Sequence, residues 1–217
     1  MKNLIQIVGL PTVGKSTILK ELKENNKDKN IIFYSEDDLF INLINKKHTH
    51  LPKFNKYDDF IKWRNKDRKR SLFLYKKLEN GETYINTLFK EILNKKYKEA
   101  NNNKNNIYII EMGGYSYTRE KLKGNICYLR FPSSEIFYKR YKDRYGINNE
   151  LKVNAPNLNG EIIKVDDYNF NYFYKNKDRF YKNEANKIII NKDKEPTKKI
   201  LLKYIYTFKI KKRNIYK

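Results

Sequence analysis

Apolar residues gather along this chain in short, nearly unbroken runs separated by stretches of helical period. The runs are residues 3–8, 31–34 (Ile31-Ile32-Phe33-Tyr34), 107–110 (Ile107-Tyr108-Ile109-Ile110), 126–131 and 187–190 (Lys187-Ile188-Ile189-Ile190). A strand covered on both faces of a parallel sheet needs apolar side chains at successive positions, because neighbours point to opposite sides. Strands separated by helices are the mark of crossover units. The pattern predicts an α/β fold: a parallel five-stranded sheet with helices on both faces.

Each run stops at polar or small residues: Gly9, then Ser35-Glu36-Asp37-Asp38, then Glu111-Met112-Gly113-Gly114, then Pro132-Ser133-Ser134, then Asn191-Lys192-Asp193. In an open parallel sheet ligands bind beyond the carboxyl ends of the strands, so chemistry is expected there. The first of these ends carries the most specific signal. Gly9-Leu10-Pro11-Thr12-Val13-Gly14-Lys15-Ser16 fits the phosphate-binding pattern G-x-x-x-x-G-K-[ST] without a mismatch, between the run Leu4–Val8 and the amphipathic stretch Thr17–Leu22. Glycines let the backbone curl round phosphates while successive N–H groups and the next helix N-terminus face the anion. Gly9, Thr12, Val13, Gly14, Lys15, Ser16 and Thr17 are the expected nucleotide contacts, with Lys15 reaching the outer phosphates and Ser16 offering its hydroxyl to Mg²⁺.

No Pro/Gly/Ser-rich linker divides the 217 residues, and one domain is expected over residues 1–208. Residues 100–106 read as an asparagine-rich solvated loop closing a helix, 146–168 as a mobile excursion or lid extension without clear period, and 209–217 as a basic, solvated tail. Neither a leader pattern nor a membrane-long apolar stretch is evident, so a cytoplasmic protein is expected. The single cysteine, Cys127, lies in an apolar run and reads as a buried thiol; with His48 and His50 the only histidines, zinc is not expected. The formal net charge is +23, which points to a polyanionic partner such as nucleic acid. However, only nine of the 48 basic residues are arginine, in a chain crowded with Asn, Ile and Tyr. That is the residue set of AT-rich coding, which supplies lysine without selection for binding.

In feature order the chain resembles the small P-loop kinases of the nucleoside-monophosphate-kinase class, among them the shikimate kinase and polynucleotide kinase branches. Phe33-Tyr34-Ser35-Glu36-Asp37-Asp38-Leu39 is similar to the segment that holds an acid against the acceptor hydroxyl. Matched on its paired aspartates, Asp37 takes the catalytic position of the polynucleotide branch. The shikimate branch usually has another acid two residues earlier, where this chain has Ser35. Glu111-Met112-Gly113-Gly114-Tyr115 resembles the glycine-rich turn of shikimate kinases that lets substrate approach the backbone at Gly113 and Gly114, with Tyr115 in place of a third glycine. Cys127–Arg130, Glu135 and Arg140-Tyr141-Lys142-Asp143-Arg144 resemble the strand leading into the lid helix. The lid and its extension span about 135–170 on this reading, and Arg140 and Arg144, one turn apart, reach the transferring phosphoryl group. Arg179-Phe180-Tyr181 followed by Ala185–Asn191 and a helix from Pro196 is similar to the C-terminal pattern of shikimate kinases, whose arginine contacts a substrate carboxylate. The resemblance also implies that acceptors dock between the second and third strands, where Trp63-Arg64-Asn65-Lys66-Asp67-Arg68-Lys69-Arg70 concentrates arginine; Arg64 is the candidate contact.

Simpler readings stand beside these. Asp37 and Asp38 are also suited to capping the following helix. Glu111 is either the acid that organises a metal or a charged strand end, and Arg140, Arg144 and the 64–70 arginines also suit solvated helix faces. Three functions follow. The resemblance implies an ATP- and Mg²⁺-dependent kinase for a hydroxyl of a small metabolite or nucleoside-type acceptor, as monomer or homodimer. The net charge and Asp37-Asp38 favour a nucleic-acid hydroxyl instead. A nucleotide-dependent switch without transfer is the third, but Asn191-Lys192-Asp193 lacks the spacing of a guanine-specificity motif.

Overall fold

The computed structural model describes residues 3–112, 124–145, 152–156, 162–164, 167–191, 199, 201 and 203–205. Its centre is a five-stranded, all-parallel sheet: β1 (Leu4–Val8), β2 (Ile31–Ser35), β3 (Ile107–Glu111), β4 (Asn125–Arg130) and, last in the chain, β7 (Lys187–Ile190). The spatial order is β2-β3-β1-β4-β7. All five residues of β1 and of β3 are buried. Since successive side chains point to opposite faces, both faces of the sheet are covered, as the unbroken apolar runs require. Gln6, fully buried inside β1, donates from Nε2 to the Tyr97 hydroxyl at 3.1 Å.

Helices α1 (Lys15–Glu24), α2 (Glu36–Lys47), α3 (Tyr57–Lys66), the single turn α4 (Arg68–Ser71), α5 (Tyr84–Asn102), α6 (Ser134–Tyr145) and α7 (Asp167–Glu184) fill the connections. The long passage from β2 to β3 builds its own apolar centre. Phe40 of α2 stacks on Phe89 of α5 at 4.4 Å between ring centroids and takes Phe60 of α3 edge-on at 5.2 Å. α5 joins this centre to the sheet: Ile85, Leu88, Phe89 and Ile92 enter the first, while Leu93, Tyr97 and Ala100 enter the core around the sheet. The helical period of these residues dictates that two-sided role.

Two expectations change. The asparagine-rich tract is not all loop, since α5 continues to Asn102, and the Asn3 amide closes its end by donating to the carbonyls of Ala100, Asn103 and Asn106 at 2.5, 3.0 and 3.2 Å. Within 146–168 lies regular structure, the antiparallel pair β5 (Lys152–Pro156) and β6 (Ile162–Lys164). The tail 209–217 and Pro196 lie outside the described residues. Cys127 is buried as expected, its thiol pushed up to about 12 by burial. Among the described residues no helix is long and apolar enough to cross a membrane.

β4 is tied to α7 by a polar node. Asp178 accepts two hydrogen bonds from the Arg130 guanidinium (2.7 and 3.1 Å), one from the Tyr128 hydroxyl (2.7 Å) and an ion pair from Lys182 (2.8 Å). Burial alone would raise the Asp178 pKa, but the bonds from Arg130, Lys182 and Tyr128 outweigh it and hold the carboxyl low. Asp178→Ala is expected to cost about 2–4 kcal/mol in urea unfolding at neutral pH, because it strands partly buried donors, whereas Tyr128→Phe should cost about 1 kcal/mol. With its native pKa below the unfolded value, the carboxyl's stabilising effect is present above the unfolded pKa and is lost as pH falls through the native one. The gap between wild type and Asp178→Ala should therefore close in acid.

Candidate active site

The carboxyl ends of β1, β3 and β2 lie side by side, and the residues that leave them form the site. Register sets the geometry: Ile7 of β1 pairs with Glu111 of β3, and Glu111 in turn with Ser35 of β2.

Beyond β1 the loop 9–14 turns back to start α1. Thr12 (φ 64°) and Gly14 (φ 89°) both take left-handed backbone, which a glycine adopts without a Cβ clash. At Gly9 the constraint is space, since a Cβ there would lie 2.6 Å from the Leu129 carbonyl oxygen of β4. The loop is thus pressed onto the neighbouring strand. Its last residue, Gly14, is the N-cap of α1 and has no side chain to cap the first turn, so the helix's leading N–H groups remain donors for an anion. Lys15 is only 7% exposed, and its Nζ donates to the carbonyls of Gly9 and Leu10 at 3.0 and 3.1 Å. Ser16 and Thr17 follow it on the exposed side of the first turn.

Glu111, 3% exposed at the end of β3, accepts a hydrogen bond on Oε1 from Ser16 Oγ at 3.1 Å. Its Oε2 is buried without a hydrogen-bond partner among the described residues. A buried carboxylate oxygen left over beside a serine hydroxyl is a donor set suited to a divalent cation, which takes oxygen ligands. The residues present therefore fit Mg²⁺.

Asp37 is half-buried in the first turn of α2. The helix begins at Glu36 with Ser35 as its N-cap, so Asp37 and Asp38 are not the capping pair considered from the sequence. The Asp37 carboxyl is pushed up to about 7, first by burial and next by the charge of Glu111. Lys15 opposes that shift, and Asp38 and Asp58 add to it. A carboxyl with this pKa can both take and release a proton near neutrality. Asp38 is exposed.

Arg140 reaches the loop from α6: its Nη1 lies 3.5 Å from the Thr12 carbonyl, and its guanidinium covers the Phe131 ring at 5.2 Å. Arg144 follows one turn later on the same helix, its side chain outside the described residues. Arg64 is 5% exposed in α3, and Ser71 Oγ donates to its carbonyl at 3.3 Å. Trp63 packs against Phe54 and Phe60, and Arg70 pairs with Asp67 on the surface. Arg179 is exposed on α7 beside the buried Asp178. Gly113 and Gly114 lie outside the described residues.

One contact of this neighbourhood is not visible in the sequence, where its residue is only part of a polar strand end. Asn191, just beyond β7, donates from Nδ2 to the Val13 carbonyl of the loop at 2.6 Å.

No protein-family model matches the chain, and no curated protein matches it. Solved structures do resemble it in shape. A shikimate kinase from Acinetobacter baumannii in complex with shikimate superposes with a TM-score of 0.54 at 17% identity, covering 94% of this chain and 90% of that one. Shikimate kinase from Aquifex aeolicus gives 0.53 at 20%, covering 92% and 94%. Dephospho-CoA kinase from Campylobacter jejuni gives 0.53 at 16%, covering 95% and 96%. At these identities the likeness establishes the fold, which is that of the P-loop kinases.

The raised carboxyl has a thermodynamic signature. Its native pKa lies above the unfolded value, so the native state holds the extra proton, and stability falls as pH rises from about 4 towards 7. Asp37→Asn removes that dependence. The variant should exceed wild type at pH 8 by about 1–2 kcal/mol, after discounting for the solvent-facing part of the side chain, and the difference should shrink at pH 5. Thermal unfolding at the two pH values measures it; an unchanged gap would show that Asp37 is ordinarily solvated.

Proposed function

We propose that the protein is an ATP-dependent phosphotransferase that moves the γ-phosphoryl group to a hydroxyl of a small metabolite or nucleoside-type acceptor. The observation that carries this reading is the convergence of Lys15, Ser16, Glu111 and Asp37 on adjoining strand and helix ends, with the Asp37 carboxyl raised to about 7 by burial and by the charge of Glu111, against the opposing charge of Lys15.

Phosphoryl transfer asks little covalent work of a protein; the barrier is lowered by positioning and by charge placed where charge develops. The amides of the loop and of the first turn of α1 hold the triphosphate, and Lys15 leaves its carbonyl partners for the outer phosphates. Ser16 and Glu111 would hold Mg²⁺, which would supply neutralisation of the phosphate charge. Asp37 accepts the acceptor hydroxyl's proton. Arg140, already against the loop, closes over the developing charge with Arg144 on the same helix, and the closed lid keeps water from competing with the acceptor. The acceptor docks against the segment between β2 and β3, near Arg64, with Gly113, Gly114 and Arg179 as further candidate contacts.

The net charge of +23 favours a second reading, in which the hydroxyl belongs to a nucleic acid. Salt dependence separates the two, because each phosphate neutralised adds about 0.7–0.9 to the slope of log affinity against log salt. A small acceptor should give a shallow slope and a nucleic acid a steep one.

Steady-state assays with γ-labelled ATP test the assignment. Lys15→Ala should abolish transfer without unfolding, since it removes a charge and little core volume. Asp37→Asn should lower kcat by roughly 10²- to 10⁴-fold with little change in ATP affinity, and Asp38→Asn should be mild. In wild type the acid limb of kcat/KM should rise with a midpoint near 7, because the base must be ionised. Near wild-type turnover in Lys15→Ala, or equal losses at Asp37 and Asp38, would overturn these roles.

A further inference from the structure

Asn191 lies 178 positions from the loop it touches, and two of its bonds anchor it there. Its backbone N–H donates to the Arg130 carbonyl at 2.8 Å, continuing the β4–β7 ladder past the Arg130–Ile190 pair. Its side-chain Nδ2 donates to the Val13 carbonyl at 2.6 Å, and the residue is only 8% exposed. The same nitrogen would stand 3.0 Å from a Cβ at Gly14, so a side chain there would crowd this contact, besides straining the backbone at its φ of +89°.

From this geometry we infer that Asn191 is a positioning residue for nucleotide binding: its carboxamide sets the direction of the Val13–Gly14 peptide and thereby the loop's affinity for a nucleoside di- or triphosphate. A trans peptide is planar, with its C=O and N–H on opposite sides. Holding the Val13 carbonyl towards β7 therefore turns the Gly14 N–H the other way, away from the sheet edge that β7 adds to β4. Without that bond the peptide is free to rotate, and the amide is no longer fixed in advance for a phosphate. Only a donor serves at this position. An aspartate of the same shape would set an acceptor against a carbonyl oxygen. Asn191 thus links the last strand of the sheet to the loop at its centre.

The inference rests on the phosphotransferase reading, and calorimetric titration with Mg·ADP distinguishes the two. Wild type should bind, and Asn191→Ala should bind about 5- to 10-fold more weakly, the loss of one buried hydrogen bond. Its acceptor KM should stay within about 2-fold, as the altered amide faces the nucleotide. Asn191→Asp should bind ADP at least as weakly as the alanine variant despite filling the same space. A merely space-filling role predicts a lower thermal midpoint for the alanine variant than for the aspartate variant, with ADP affinity unchanged in the folded fraction of both; that result, or an alanine variant binding like wild type, overturns the inference. If neither variant folds, the side-chain amide signals of Asn191 in wild type decide: they should shift during ADP titration, and signals that do not move contradict a link to the bound phosphates. Failure of wild type to bind ADP overturns the phosphotransferase reading itself, and the inference with it.

Discussion

Parallel pairing of β3 with both β1 and β2, in a single register, is the constraint on which the site depends. Because the strands run the same way, their carboxyl ends lie at one edge, and the residues leaving them must share a small volume. Pairing Ile7 with Glu111 brings the end of β3 within reach of the helix that follows β1, where Ser16 bonds Glu111 at 3.1 Å. Pairing Glu111 with Ser35 sets the start of α2 alongside, so that Asp37 feels the charge of Glu111 and Lys15 together. A shift of one residue would turn these side chains to the other face and dissolve the arrangement.

The crowding is costly, and the surrounding fold offsets the cost. Two carboxyls meet one lysine in a partly desolvated space, and the strain appears as an Asp37 carboxyl raised to about 7. The loop that holds Lys15 contains two left-handed residues, yet it is held from three sides: by the β4 backbone at Gly9, by Arg140 at Thr12 and by Asn191 at Val13. Stability for these contacts comes from elsewhere, from the buried faces of β1 and β3 and from the Asp178 node that binds α7 to β4. Local disfavour at a site, maintained by a rigid surround, is the usual arrangement where binding energy must be directed at a reacting group.

Much of this was legible because it is local. The loop 9–14 and the start of α1 follow a contiguous pattern, and the strands announce themselves as unbroken apolar runs because both faces are covered. Asp37 and Glu111 stand out as candidates because ligands of a parallel sheet bind beyond its strand ends, and the structure brings the two together there. The rest was hidden for physical reasons. Asn191 acts through a tertiary contact that no spacing encodes, and its polar surroundings read as a strand terminus. The burial of Arg64 is a tertiary effect, which a single helix pattern does not orient. The β5–β6 pair has only Val153, Ala155, Ile162 and Ile163 as apolar members, too few for a clear period. Asparagine misled at residues 100–102, where the helix persists because Asn3 satisfies carbonyls at its end.

On the proposed function, the ends of three strands form one phosphoryl site. The most direct measurement is a crystal structure with ADP, Mg²⁺ and aluminium fluoride, which mimics the flat phosphoryl group in transfer. Lys15 Nζ should lie against the outer phosphate and fluoride atoms, and the cation between the phosphates and the Ser16–Glu111 pair. The Asp37 carboxylate should lie about 2.6–3.2 Å from the oxygen in line with the leaving group, directly or through one water. An Asp37 turned away from that axis, or a cation bound without either Ser16 or Glu111, would contradict that function.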